Sequence, residues 1–322
     1  MSAGRIATVF GGNGFVGQYV VQHLARAGYL VRVAGRRPDL ASLLRPLGDV
    51  GQIAPFYAPV QDEEAVACVV KGASVVVNLV AVLGGRGLES VNVEGAKRVA
   101  RLSAAEGVET FVQVSALGAA SDAPSAYGRS RAAGEEAVKQ YIPTASIIRP
   151  SVIFGPDDHF FNRLASLARF LPVMPVYGAS ARLQPVFVGD VAESIARIIL
   201  TPELAEAGKT WSLGGPDILT MREIYRWILA QTKRENLLVR VPGWIATLQA
   251  AFFERLPGQI LTRDQLRMLS QDNVLPPGEP GFAELDMEPN SIERCVPFYM
   301  ERFRPGGGRS GIVVSKQDII TQ

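Results

Sequence analysis

The residues with the plainest chemistry are glycines. The stretch Gly11-Gly12-Asn13-Gly14-Phe15-Val16-Gly17 satisfies GxxGxxG through Gly11, Gly14 and Gly17, and GxGxxG through Gly12, Gly14 and Gly17. It follows a short apolar run at 6–10 and opens an amphipathic stretch, the strand–turn–helix setting in which such a loop holds a dinucleotide. Gly11 permits a tight turn, Gly14 lets the backbone approach a pyrophosphate, and Gly17 lets the helix pack close to the strand. The loop amides and the positive helix end then attract the phosphates. At the end of the second strand candidate the sequence reads Val33-Ala34-Gly35-Arg36-Arg37, without the acid that would bond a ribose 2′-hydroxyl. A guanidinium suits a phosphate, so Arg36, helped by Arg37, is expected to hold a 2′-phosphate. The expected cofactor is NADPH (NADP).

The elements that must position these groups alternate up to residue 150. Short β-branched runs at 6–10, 30–34, 54–57, 74–80, 110–115 and 145–149 predict strands, and 14–27, 38–47, 63–71, 88–106 and 129–141 predict helices. Near-continuous apolar strands between amphipathic helices predict an α/β fold, a doubly wound parallel Rossmann sheet covered on both faces. Residues 1–150 are expected to form the dinucleotide-binding domain, with elements from 184–232 returning to it. A smaller, irregular C-terminal α/β subdomain is expected over 151–304, followed by a flexible tail at 305–322 that starts Pro305-Gly306-Gly307-Gly308. Thr220 with Glu223 reads as a capping box opening a helix at 220–232. Short strands are expected at 184–188, 211–213 and 237–241, and a helix at 190–200. The stretch 241–256 carries Trp244, Phe252 and Phe253 between Arg240 and Arg255. Such a face lies on a membrane interface, docks on a partner or packs into the subdomain.

Composition narrows the function classes. The 322 residues are 48% apolar and 20% charged, enough for a sizeable core, and the net charge of +2 is too weak a field to make nucleic acid a partner. Cys68 and Cys295 stand far apart without a CxxC, so neither a disulfide framework nor a zinc cluster is expected, and a reducing compartment is. With only His23 and His159, no metal site is assigned. The N-terminus runs straight into a strand candidate, so no cleavable signal is expected, and no run of about 18 apolar residues appears.

Further motifs carry a family resemblance. They are Asn78-Leu79-Val80-Ala81, Val91-Asn92-Val93-Glu94-Gly95, Val114-Ser115, the Tyr127/Arg131 pair, and Arg149-Pro150-Ser151-Val152-Ile153-Phe154-Gly155-Pro156. Pro185-Val186-Phe187-Val188-Gly189-Asp190 and Leu213-Gly214-Gly215-Pro216 follow. Over 5–232 the chain resembles the extended and atypical short-chain dehydrogenase/reductases. The resemblance implies that backbone near Val60 and at Leu79, Val80 and Ala81 lines the adenine and ribose. It also implies that Pro150 and Ser151 approach the nicotinamide. Family enzymes use YxxxK, in which the lysine holds the nicotinamide ribose and lowers the pKa of the tyrosine that exchanges a proton with substrate.

Here the motif reads Tyr127-Gly128-Arg129-Ser130-Arg131, with both functional positions on one helix face. Arginine for lysine is not a conservative exchange at such a site. Ala116 and Leu117 follow Ser115 where the family supplies another hydroxyl. Ser115, Tyr127 and Arg131 are therefore expected to bind nucleotide as vestiges of a catalytic set.

Within the family, Val112-Gln113-Val114-Ser115-Ala116-Leu117-Gly118-Ala119, Ile153-Phe154-Gly155-Pro156 with Asp158, and Leu261-Thr262-Arg263-Asp264-Gln265-Leu266 are most similar to the NADPH-binding accessory subunits of respiratory complex I, the NADH:ubiquinone oxidoreductase. That likeness implies a non-catalytic subunit that binds NADPH, contacts other subunits of complex I and stabilises the peripheral arm near the membrane and quinone site. In a bacterium it would sit peripherally on the cytoplasmic face of the inner membrane. The alternative keeps Tyr127 working with Arg131 in an active NADP-dependent oxidoreductase or epimerase.

Overall fold

The computed structural model describes residues 4–85, 87–205, 207–254 and 261–306. They form two compact units, the first built from the chain up to Pro150 with Val188–Leu213 and Pro277–Glu288. Its centre is a seven-stranded parallel sheet of β1 (Ile6–Phe10), β2 (Leu30–Gly35), β3 (Ile53–Tyr57), β4 (Val75–Asn78), β5 (Thr110–Val114), β6 (Ser146–Pro150) and β11 (Thr210–Leu213), in the order β11-β6-β5-β4-β1-β2-β3. All residues of β4 and β5 are buried, the mark of strands covered on both faces. Helices α1 (Gly17–Arg26) and α7 (Val188–Leu200) pack on each other. So do α3 (Glu63–Val70), α4 (Glu94–Ala105) and α5 (Ala126–Tyr141); α2 (Pro38–Ala41) and α8 (Pro202–Ala205) are single turns. Strand order reverses between β1 and β4, and the crevice outside the carboxyl ends at such a point is where an open α/β sheet binds ligands.

Several expected boundaries move for physical reasons. The first helix begins at Gly17 rather than at 14, because the glycine run stays a turn. The helix expected over 38–47 is α2 followed by a 3-10 segment, Ser42–Leu47, that contains Pro46. The long helix expected at 88–106 divides into a π-helical turn, Leu88–Val93, and α4. Helix α5 starts three residues early, at Ala126, because the Ser125 hydroxyl accepts from the Gly128 amide and caps it.

The second unit comprises Ser151–Phe187, Gly214–Pro276 and the chain from Pro289. It has three two-stranded ladders: β7 (Ile153–Phe154) with β10 (Val186–Phe187), β8 (Val173–Val176) with β13 (Leu237–Arg240), both parallel, and β9 (Arg182–Leu183) with β12 (Leu219–Thr220), antiparallel. Around them stand α6 (Phe161–Phe170), α9 (Met221–Gln231), α10 (Gly243–Phe253), α11 (Arg263–Met268) and α12 (Ile292–Met300). Phe161 meets Phe154 and Trp227 at ring distances of 5.7 and 6.3 Å in its core. Thr220 and Glu223 form the expected capping box, and Thr262 with Gln265 forms a second. Asp158 shapes the turn before α6. Its carboxylate accepts from the amides of Gly155 (3.2 Å), Phe160 (2.9 Å) and Asn162 (3.1 Å) and from the Tyr299 hydroxyl (3.1 Å), while burial pushes its pKa up. The stretch 241–256 is helical as α10 and is described as far as Glu254. Arg255 and 307–322 of the expected tail lie outside the described residues.

Candidate functional site

The loop after β1 is held from below. Gly11 donates to the Ala34 carbonyl (2.8 Å) and Gly14 donates to the Gly11 carbonyl (2.9 Å). Gly11 turns at φ +77°, beside Leu79 and Val80, a conformation that costs glycine little. A Cβ at Gly17 would sit 2.3 Å from the Gly11 oxygen and 2.5 Å from the Gly12 Cα, so any side chain there must displace backbone. No side chain caps the start of α1, which follows Val16, and its first turn holds no acid. Its partial positive charge thus faces Asn13, Gly14, Phe15 and Val16, a setting that fits a pyrophosphate.

At the end of β2, Arg36 is exposed and makes no ion pair among the described residues. Arg37, expected to assist it, is instead folded onto Asp39, with Nη2–Oδ2 at 2.7 Å and Nε–Oδ1 at 3.0 Å. The Arg37 hydrogen bonds hold the Asp39 carboxyl below its ordinary pKa. The pair is locally neutral, which leaves Arg36 as the unpaired cation at this strand end.

Beyond β3, Val60 is buried and its carbonyl accepts from Arg98 Nη1 at 2.8 Å. Leu79 donates to the Phe10 carbonyl (3.0 Å), which ties the end of β4 to β1; Val80 is half-buried and Ala81 exposed. Asn92, within the π-helical turn, accepts from the Val82 amide (2.9 Å) and donates to the Val82 carbonyl (2.9 Å) and to Ser130 Oγ (3.0 Å). Ser130 Oγ donates in turn to the Tyr127 carbonyl (2.8 Å). Asn92 therefore couples the loop after β4 to the backbone that carries Tyr127. Its place in Val91-Asn92-Val93-Glu94-Gly95 was the only sequence signal for it, and that motif points to no partner.

The groups at the ends of β5 and β6 are spent mostly on structure. Arg131 is 3% exposed, and its Nη2 donates to the Val114 carbonyl. One turn later Glu135 accepts two bonds from Arg149 (2.6 and 3.0 Å), a pair that raises the Arg149 pKa. This partly buried pair is not evident in the sequence, where the two residues stand 14 apart. Tyr127 is buried. Pro150 closes β6 and its carbonyl accepts from the Leu117 amide at 2.9 Å. Ser151, expected beside a nicotinamide, belongs to the second unit, where its hydroxyl donates to Asn273 Oδ1 at 2.6 Å.

Two buried polar atoms of the first unit's site have no partner: Ser115 Oγ and Arg131 Nε. Each costs about 1–3 kcal/mol if left unsatisfied, so a polar ligand such as a ribose would find ready-made bonds here. Together with the cradle at Gly17, these atoms fit a dinucleotide. Among the described residues, no group of three or more His, Cys, Asp or Glu is placed to hold a metal ion.

Residues 7–214 match the model of the NAD dependent epimerase/dehydratase family. The chain is 32% identical to "NADH dehydrogenase (ubiquinone) 1 alpha subcomplex subunit 9, mitochondrial" of Arabidopsis thaliana, over 98% of this chain and 82% of that protein. The mouse protein of the same name is 33% identical over 90% of this chain and 78% of its own length. Among solved structures, that of the epimerase Mth375 of Methanothermobacter thermautotrophicus superposes with a TM-score of 0.69 at 19% identity, covering 93% of this chain and 92% of that one.

Proposed function

The chain belongs to the NAD dependent epimerase/dehydratase family, and within it we propose that it is a non-catalytic, NADPH-binding accessory subunit of respiratory complex I. The observation that carries this reading is the state of Arg131. The position that should serve both Tyr127 and the nicotinamide ribose holds a buried guanidinium already donating to the Val114 carbonyl. A permanent cation tethered in this way can still bind a hydroxyl through Nε, but it lacks the mobility and compactness of a lysine ammonium. An intact phosphate cradle beside a compromised proton-transfer pair favours holding a nucleotide over turning it over. The free guanidinium of Arg36 favours NADPH over NADH, since it can pair with a 2′-phosphate. Kinship over nearly the whole chain with proteins named as NADH dehydrogenase subunits supports the assembly.

In this reading the partners are other complex I subunits, and the protein stabilises the peripheral arm close to the membrane and quinone site. In a bacterial cell it would lie peripherally on the cytoplasmic face of the inner membrane, with 241–256 as its membrane-facing stretch. No helix among the described residues is long and apolar enough to cross a membrane.

The test is affinity purification of the chromosomally tagged chain from gently solubilised membranes. Stoichiometric recovery of flavin and iron–sulfur subunits, with NADPH that is neither exchanged nor oxidised, is expected. Recovery of the chain alone, with NADPH oxidation abolished by Tyr127→Phe, would establish a free enzyme instead.

A further inference from the structure

The second unit wears its apolar residues on the outside in two places that adjoin in the chain. In the β8–β13 ladder, Leu237 is in register with Val173 and Val239 with Pro175, so their side chains share one face. Leu237, Val239 and Val173 are exposed, while Met174 and Val176 of the same ladder are buried. The ladder thus has an inner apolar face and an outer apolar one.

Three residues on, α10 repeats the inversion. It buries Ala246 and Ala250 and exposes Trp244, Leu248 and Phe252, which at i, i+4 and i+8 fall on one face. Trp244 is 73% and Leu248 69% exposed. Tyr177, directly after β8, donates to Gln249 at 2.9 Å, which anchors the helix through its other side. A helix that turns alanines inward and a tryptophan outward spends its apolar area on something beyond its own unit.

Charge says what that something is. Among the described residues the second unit contains 13 Lys and Arg against 10 Asp and Glu, an excess greater than the whole chain's net charge of +2. Between Arg226 and Ala250, four cations stand against a single acid, Glu235. Lys233 is exposed shortly before β13 and Arg240 is exposed at its end, on the face opposite Leu237 and Val239, and the Arg169 guanidinium lies 5.7 Å from the exposed Phe170 ring where α6 leads into β8. Apolar faces bordered by cations match a bilayer with anionic headgroups: the aromatic and aliphatic groups enter the acyl boundary while the cations meet phosphates.

We propose that the α10 face and the outer face of the β8–β13 ladder together form a docking surface for an anionic phospholipid bilayer. This deepens the peripheral placement proposed above by naming the lipid chemistry and adding the ladder to the helix.

The test floats the full chain with vesicles of phosphatidylcholine alone or with phosphatidylglycerol added. Tight binding is expected only with the anionic lipid, weaker by about tenfold or more without it, since each cation near the surface contributes about fivefold. High salt should weaken it. Trp244→Ser with Phe252→Ser, and separately Val173→Ser with Leu237→Ser, should each lower partitioning by about tenfold or more. All variants should keep NADPH affinity and thermal unfolding, which guards against misfolding. Equal binding to both vesicle types, no binding, or indifference to either double variant would overturn the proposal. Copurification with complex I subunits is scored alongside. If it persists without vesicle binding, the surface meets a protein partner and the subunit reading stands; if vesicle binding persists without subunits, that reading fails and the lipid surface remains.

Discussion

The sharpest test of the nucleotide reading separates two adjacent arginines. Arg36 is exposed and unpaired, whereas Arg37 is bound bidentately to Asp39 at 2.7 and 3.0 Å. Replacing Arg36 with alanine removes the only free guanidinium at the end of β2. A hydrogen bond between charged groups is worth about 1.5–3 kcal/mol, so NADPH affinity should fall about 10- to 150-fold. NADH, which has no 2′-phosphate, should bind Arg36→Ala and the parent chain alike. Arg37→Ala breaks only an exposed ion pair, so its effect on NADPH should stay below about fivefold. Asp39→Ala should release Arg37 toward the phosphate and tighten NADPH modestly. Isothermal titration with both nucleotides, at one fixed ionic strength because exposed charges are screened, measures all four proteins. Equal losses for NADPH and NADH in Arg36→Ala, or a greater loss in Arg37→Ala, would refute the assignment of a 2′-phosphate to Arg36.

Three further perturbations probe the scaffold. Gly17→Ala drives a methyl group into the backbone of Gly11 and Gly12, and should cost about 3 kcal/mol or more together with most nucleotide affinity, as thermal unfolding and NADPH titration would read. Arg149→Met leaves the nearly buried Glu135 carboxylate without its partner and should cost about 3–5 kcal/mol; adding Glu135→Gln should restore part of that loss in chemical unfolding. His23 is held below its ordinary pKa mainly by burial, with Glu193 opposing and Arg26 reinforcing. A depressed folded pKa means that the unfolded chain takes up a proton first, so the contribution of neutral His23 is full above about pH 6.5 and is lost as pH falls through the folded value. Melting temperature should therefore drop on mild acidification, and His23→Gln should flatten that drop; an unchanged slope would remove His23 as its cause.

The first unit was legible because its elements repeat a local rule. Apolar runs such as Val75–Asn78 and Thr110–Val114 are buried on every residue, a pattern that only a doubly covered parallel strand explains. The glycine loop could be read down to the role of Gly17, since close packing leaves a mark on residue type itself. What escaped was whatever depends on a partner distant in sequence. Arg37 looked like a second phosphate ligand until Asp39 claimed it. Ser151 looked like part of a nicotinamide pocket, yet its hydroxyl is committed to Asn273, 122 residues away. Asn92 sits in a π-helical turn that no periodicity announces, and it joins Val82 to Ser130, which stands 38 residues from Asn92. In the second unit the two-residue strands β7 and β9 lie below the length at which alternation can be read, whereas β10 falls inside the strand expected at 184–188.

The unpaired atoms at the site give a bound nucleotide a structural role even without turnover. In the protein alone, Ser115 Oγ and Arg131 Nε are buried donors with nothing to bond. Folding has to carry that cost, and ligand hydroxyls that bond to them would remove it. The gain adds to the stability of the folded chain as RT ln(1 + [L]/Kd), about 2.7 kcal/mol when the nucleotide stands at a hundred times its dissociation constant. That is comparable to the loss expected from damaging the loop at Gly17. On the proposed reading, Arg131 marks the difference from an enzyme that must let its cofactor go. An ammonium on a flexible stem can follow a ribose in and out, while a guanidinium already fixed to the Val114 carbonyl holds its remaining donors in set directions. A donor preset in that way lowers the cost of ordering on binding and so favours retention over exchange. On the proposed reading, NADPH acts in this chain as a buried strut between α1, α5 and the ends of the central strands, and the lysine-to-arginine departure serves that purpose.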